Sequence, residues 1–170
     1  MTRVMGIDLS SRKIAIVRLS GDDYESHTVE IEKLPNRPDE LSALQEGVEG
    51  LMDRFSSSWV YIEAPVVGRG GARPTVLQAQ VDGIVQSAAV RFGHLGAYSV
   101  NNKTWKKDVV GNGNAGKDDT KSWLAAYHPV LTDLCGDDQD LVDAAGVALY
   151  GRAVIERAQE FERTIRLDPR

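Results

Sequence analysis

Four carboxylates stand where a soluble protein rarely leaves them without a purpose. Asp8 closes the apolar run Val4-Met5-Gly6-Ile7, and Glu63 closes a second run, Val60-Tyr61-Ile62. Burying an unpaired charge behind such a run costs several kcal/mol, so each acid needs a compensating group. Asp140 and Asp143 lie three residues apart at the expected start of a helix and therefore share one face. Each acid alone has an ordinary explanation: a strand-end turn for Asp8, a surface ion pair with Arg69 or Arg73 for Glu63, and first-turn acids favoured by the helix dipole for the pair. Together they would place four hard oxygen donors around one point. Such donors select Mg²⁺ or Mn²⁺, and two such ions about 4 Å apart stabilise the attacking and leaving oxygens of phosphodiester hydrolysis.

A basic, glycine-rich segment supplies the complementary half. Residues 101–121 carry Lys103, Lys106, Lys107, Lys117 and Lys121 against Asp108, Asp118 and Asp119, a local excess of positive charge in a chain of net charge -5. Gly111 and Gly113 allow close approach of backbone to a phosphate, and Lys117 adds charge beside the free N–H groups of a helix start. A glycine loop followed by lysine is a weak signal by itself, because most such loops are turns. Trp105 and Trp123 read as core or interface anchors rather than platforms for base stacking.

The elements that must position these groups follow from periodicity. Arg3 to Leu9 and Lys13 to Leu19 form a hairpin around Ser10-Ser11-Arg12, and Gly21-Asp22-Asp23 turns the chain into a third strand over 24–31. Asp39 caps a helix over 40–54 whose Leu41, Leu44, Val48, Leu51 and Met52 repeat at helical spacing. A short strand, 59–62, leads to Glu63, and Pro65 stops it. The loop Gly68 to Arg73 follows, then a helix over 74–92 and a strand over 97–100, a βαβ rhythm after a β-meander. Two short helices, 103–110 and 118–127, flank the glycine loop, and a long helix over 139–166 ends the series. Gly146 and Gly151 each weaken that helix by about 1 kcal/mol relative to Ala, so they point to close packing. The expected class is α/β, with one domain over 1–170 and a helical tail over 151–170.

With 170 residues, 42% hydrophobic and 26% charged, the chain can bury a real core. The balance of 20 basic to 25 acidic residues argues against a protein that coats nucleic acid non-specifically. A single Cys135 suggests a reducing compartment, and no run reaches the roughly 18 apolar residues of a membrane span. His27, His94 and His128 are scattered, without the spacing of a zinc site. The expected location is cytoplasmic, in a bacterial cell or a virus-infected bacterial host.

Over nearly its full length the sequence resembles the RuvC family of Holliday junction resolvases, in the RNase H-like superfamily. GIDLS with Asp8 is similar to the family's first-strand aspartate and YIEAP with Glu63 to its fourth-strand glutamate. WKKDVVGNGNAGK resembles the lysine and glycine segment, placing Lys106 and Lys117, and DLVDAAGVALYG resembles the closing helix, placing Asp140 and Asp143. The resemblance implies an RNase H-like α/β fold, a mixed five-stranded sheet of order 3-2-1-4-5 with flanking helices. It also implies a homodimer that cuts four-way junctions, each site using two Mg²⁺ or Mn²⁺ held by Asp8, Glu63, Asp140 and Asp143. Lys106 and Lys117 would contact scissile-strand phosphates, within a DNA-binding set completed by Arg69, Arg73, Lys107 and Lys121. Where family members carry an aromatic wedge this chain has Val66, which implies relaxed sequence preference and activity extending to flaps or forks. Two other classes compete: a non-catalytic junction-binding protein on the same fold, and an actin-like ATPase fragment, for which 170 residues leave no room for the second phosphate loop.

Overall fold

Alternation along three strands decides which side chains meet. A computed structural model describes residues 2–10, 12–30, 33–55, 58–65 and 72–167. The elements are β1 (Arg3–Leu9), β2 (Lys13–Ser20), β3 (Asp23–Glu30), α1 (Arg37–Arg54), β4 (Trp59–Glu63), α2 (Ala72–Arg91), β5 (Gly96–Val100), α3 (Asn102–Val109), α4 (Lys117–Tyr127), α5 (Pro129–Cys135) and α6 (Gln139–Leu167). They build a mixed sheet of order β3-β2-β1-β4-β5. β1 to β3 pair antiparallel, while β4 lies parallel to β1 and β5 parallel to β4. The fold class and strand order are those expected from the sequence.

Each sheet face carries its own core. Met5, Ile7 and Leu9 of β1, Ile14 and Ile16 of β2, and Val60 and Ile62 of β4 pack against Leu44, Val48 and Met52 of α1 and Val81 and Val85 of α2. Because strand side chains alternate, the intervening residues face the other way. Ala15, Val17 and Leu19 meet α4, α5 and α6 through Leu124, Leu131 and Ala144. Val4 and Tyr61 join Trp105, Val147 and Ile155 on that same side. Continuing the alternation assigns Asp8, Lys13 and Glu63 to the α6 face.

Two glycines set how closely α6 lies on this sheet. A Cβ on Gly6 would overlap the backbone of Ala144 and Ala148, so β1 and α6 meet backbone to backbone. A Cβ on Gly146 would overlap the Trp105 ring, which is fully buried. The expected packing role of Gly146 is therefore met by the indole of α3, and Gly151 in the same way admits Tyr61.

Three details differ from the sequence expectation. α1 begins at Arg37 rather than 40, because the Asn36 side chain accepts from the Asp39 N–H and Pro38 fits the first turn, where no N–H is needed. A seven-residue helix, α5, starts at Pro129 and ends at Cys135, capped by Gly136, whose φ of 57° breaks it. Its Leu131 and Cys135 are buried, too few apolar positions for a periodic signal. Lastly, α2 starts at Ala72, two residues before the expected start at 74.

Candidate active site

The acids gather at the carboxyl ends of β1 and β4. Ile7 pairs with Ile62 in the parallel register, so Asp8 and Glu63 follow side by side, one residue further along each strand. The start of α6 brings Asp140 and Asp143 against them. The meeting is felt most at Asp8, whose pKa is pushed up to about 8 by burial first, then by the negative charges of Glu63, Asp143 and Asp140. Asp143 is pushed up to about 6 by burial, with Glu63 adding to the rise and Lys106 and Lys117 opposing it. The structure thus brings together all four acids and the two lysines singled out in the sequence.

Asp8 has a backbone hydrogen bond from Leu9, and each of the other three acids has a side-chain partner. Asn102 Nδ2 donates to Glu63 Oε1 at 2.6 Å and Trp105 Nε1 donates to Glu63 Oε2 at 2.8 Å. Gln139 Nε2 donates to Asp143 Oδ1 at 3.2 Å. Lys13 Nζ lies 2.6 Å from Asp138 Oδ2 and 3.2 Å from Asp140 Oδ2. Burial works against the charge on Lys13, but its bonds to Asp138 and Asp140 outweigh that and raise its pKa above the ordinary lysine value. Among the described residues no three acidic side chains have closed on a common point at ligand distance. The donor set nonetheless fits a hard divalent cation: four carboxylates from three elements whose mutual repulsion a cation would relieve.

The lysine segment folds tightly on itself. Lys106 is buried, and its Nζ donates to the Ala115 carbonyl at 3.3 Å. Gly111 has φ of 86°, and a Cβ on Gly113 would sit 2.8 Å from the Lys103 carbonyl oxygen. Both glycines therefore have internal reasons, a left-handed turn and contact with α3, where the sequence suggested approach to a phosphate. Gly116 N–H donates to Asp119 Oδ2 at 2.9 Å at the start of α4, leaving Lys117 exposed in its first turn. Lys107 is exposed, and Lys121 is held by Asp137 at 2.5 Å. Arg69 and Val66 lie outside the described residues, and Arg73 falls in the first turn of α2, its side chain likewise outside them.

No family model and no curated protein matches the chain. Among solved structures it is similar to Thermus thermophilus RuvC, with a TM-score of 0.66 at 18% identity, covering 88% of this chain and 92% of that one. It is similar also to T. thermophilus RuvC in complex with Holliday junction substrate, with a TM-score of 0.68 at 17% identity and the same coverage. The fold is that of RuvC. On this RuvC fold one groove encloses about 640 Å³. Trp59, Tyr61, Tyr98, Tyr150 and Val154 help to line it. Glu162 lines it as well, but none of the four clustered acids does.

Three residues of this RuvC-like site escaped the sequence reading. Lys13 was available from strand parity: odd positions of β2 face α6, so Lys13 shares the side of Asp8. Trp105 and Asn102 stand three apart on α3 and both point at Glu63, but nothing local ties them to a residue some 40 positions earlier. The expectation that Trp105 is a core anchor holds, and its indole N–H has a second use.

Proposed function

We propose that the chain is a metal-dependent, structure-specific DNA endonuclease that cuts four-way junctions, and flaps or forks as well, working as a homodimer. The observation that supports this best is the convergence of Asp8, Glu63, Asp140 and Asp143 with Lys106 and Lys117 at one end of a RuvC-type sheet. Asp8, Glu63, Asp140 and Asp143 would hold two Mg²⁺ or Mn²⁺, which supply an activated water and neutralise charge on the reacting phosphate when bound. Asn102 and Trp105 fix both oxygens of Glu63, so this carboxylate presents its remaining lone pairs in one orientation. Lys106 balances the negative charge of Asp143 from inside the fold. Lys117, exposed at a helix start, meets the DNA phosphate and offsets charge that grows during cleavage.

The test is a labelled four-way junction incubated with the purified protein in Mg²⁺ or Mn²⁺. Symmetric nicks in opposed strands are expected, and absence of cutting on junctions, flaps and forks in both metals overturns the reading. A second reading, a non-catalytic junction-binding protein, draws on the ion pair that holds Asp140 to Lys13; binding without cutting in that assay is its signature.

Trp105→Phe removes the donor to Glu63 Oε2 and, because the shorter ring falls short of the outer indole atoms over Gly146, also loses packing. Single-turnover cleavage is expected to slow about 10-fold or more, the usual size of a lost outer-shell partner, with a lower melting temperature from the lost packing. An unchanged rate would leave Trp105 a packing residue only.

A further inference from the structure

Lys13 is a cation already placed among the acids. Ser10 Oγ accepts from the N–H of Arg12 at 3.2 Å and of Lys13 at 2.8 Å, and donates to the Lys13 carbonyl at 2.9 Å. These bonds fix the β1–β2 turn, and strand parity sends the Lys13 side chain toward the start of α6. Its two partners are held unequally. Asp138 is the nearer, at 2.6 Å, and is itself anchored, because its Oδ1 accepts the Asp140 N–H at 3.1 Å at the start of α6. Asp140 is the farther, at 3.2 Å, and keeps 42% of its side chain exposed, so its carboxylate can turn away without disturbing the helix.

We infer that Lys13 is the internal counter-cation of the acid site: it holds Asp140 until a divalent ion takes that carboxylate, and then rests on Asp138 alone. This rests on the metal-binding reading of the four acids. An ammonium and a divalent ion on the same carboxylate oxygen repel each other in a partly buried site, so a divalent ion that takes Asp140 competes with the ammonium for it. The anchored Asp138 gives the displaced ammonium a place to stay, which keeps Lys13 close to the reacting phosphate. The device lessens repulsion among the acids in the metal-free protein and makes metal binding weaker than the four carboxylates alone would give.

Calorimetric titration of the chain with MnCl₂, without DNA, measures this directly. Lys13→Gln is expected to bind Mn²⁺ about fivefold more tightly than the unaltered chain, the factor that a part-exposed ion pair is worth. Lys13→Arg keeps the cation and should stay within about twofold of the unaltered chain. In an Asp140→Asn background the same Lys13→Gln change should have no effect, because the shared carboxylate is gone. Lys13→Gln that leaves affinity unchanged or weakened, in a chain that does bind Mn²⁺, overturns the inference while sparing the metal site. Equal tightening in the Asp140→Asn background also overturns it, since Lys13 then acts as distant charge. No Mn²⁺ binding by either the unaltered chain or Lys13→Gln overturns the metal reading and this inference with it.

Discussion

Asp8→Asn is expected to abolish junction cleavage, leave junction binding largely intact and raise the melting temperature of the metal-free protein at pH 7. The loss of cleavage follows from position, since Asp8 is the acid that burial and three neighbouring carboxylates press hardest. The gain in stability follows from linkage. With a folded pKa of about 8 against an ordinary value of 3.8, folded Asp8 keeps its proton where the unfolded chain has lost it. The folded state then binds more protons than the unfolded state, so stability is fully present below about pH 4 and declines as pH rises toward 8. Asparagine never ionises and removes that decline. The gain at pH 7 is on the order of a few kcal/mol, or roughly 5–10 °C for a chain of this size. Asp143, at about 6, still gives the variant a shallower decline confined to about pH 4–6. Scanning calorimetry from pH 4 to 8, with and without Mn²⁺, checks this: Mn²⁺ should raise the melting temperature of the unaltered chain more than that of the variant. A variant that cuts at the normal rate would remove Asp8 from the chemistry, and one that melts lower at pH 7 would remove the electrostatic account.

Gly6→Ala is the substitution expected to damage the fold most. Its methyl group would fall on backbone atoms of Ala144 and Ala148, and neither strand β1 nor helix α6 can yield as a flexible side chain would. Both elements are central, since β1 lies between β2 and β4 and α6 covers them. Overpacking commonly costs about 1–3 kcal/mol; with backbone on both sides the loss here is expected to exceed about 3 kcal/mol. Chemical denaturation against the unaltered chain measures it. Gly83→Ala on α2 is the matched control. A Cβ there meets nothing within 4 Å, so a gain of about 0.5–1 kcal/mol is expected from reduced freedom of the unfolded chain. Equal effects at the two positions would show that close approach of α6 does not limit stability.

Gly6 links stability to the site. It sits two residues before Asp8, and Ala144 follows Asp143 directly, so the contact that would be destroyed is also the one that carries Asp143 to Asp8. The same holds on α3, where Gly146 admits Trp105 and Trp105 in turn holds Glu63. Glycines in the long helix weaken it locally and are repaid by placing carboxylates.

Much of this was legible in residue order alone. Alternating and apolar runs marked all five strands, turn residues marked the meander, and the family resemblance implied the order 3-2-1-4-5 that the sheet has. The four acids were conspicuous because an acid closing a buried strand violates local expectation, and that violation needs no knowledge of distant parts. Less legible were features whose cause lies far along the chain. Helix α5 buries only Leu131 and Cys135, a pattern too short to show period, and it exists because α6 and β2 offer a surface for them. The glycines of the 111–116 loop suggested a phosphate cradle, whereas their own contacts show a turn and an approach to α3.

The sequence by itself determined which donors are present, since hard oxygen donors and lysines are properties of residue type, and it determined the strands, since strand periodicity is local. Only the tertiary structure decided who partners whom. That Lys13 holds Asp138 and Asp140, that Asn102 and Trp105 hold Glu63, and that Asp8 is left to bear the repulsion depend on contacts between residues 39 to 127 positions apart. Such contacts are set by the closeness of α6 to β1, and that closeness rests on a missing side chain at Gly6.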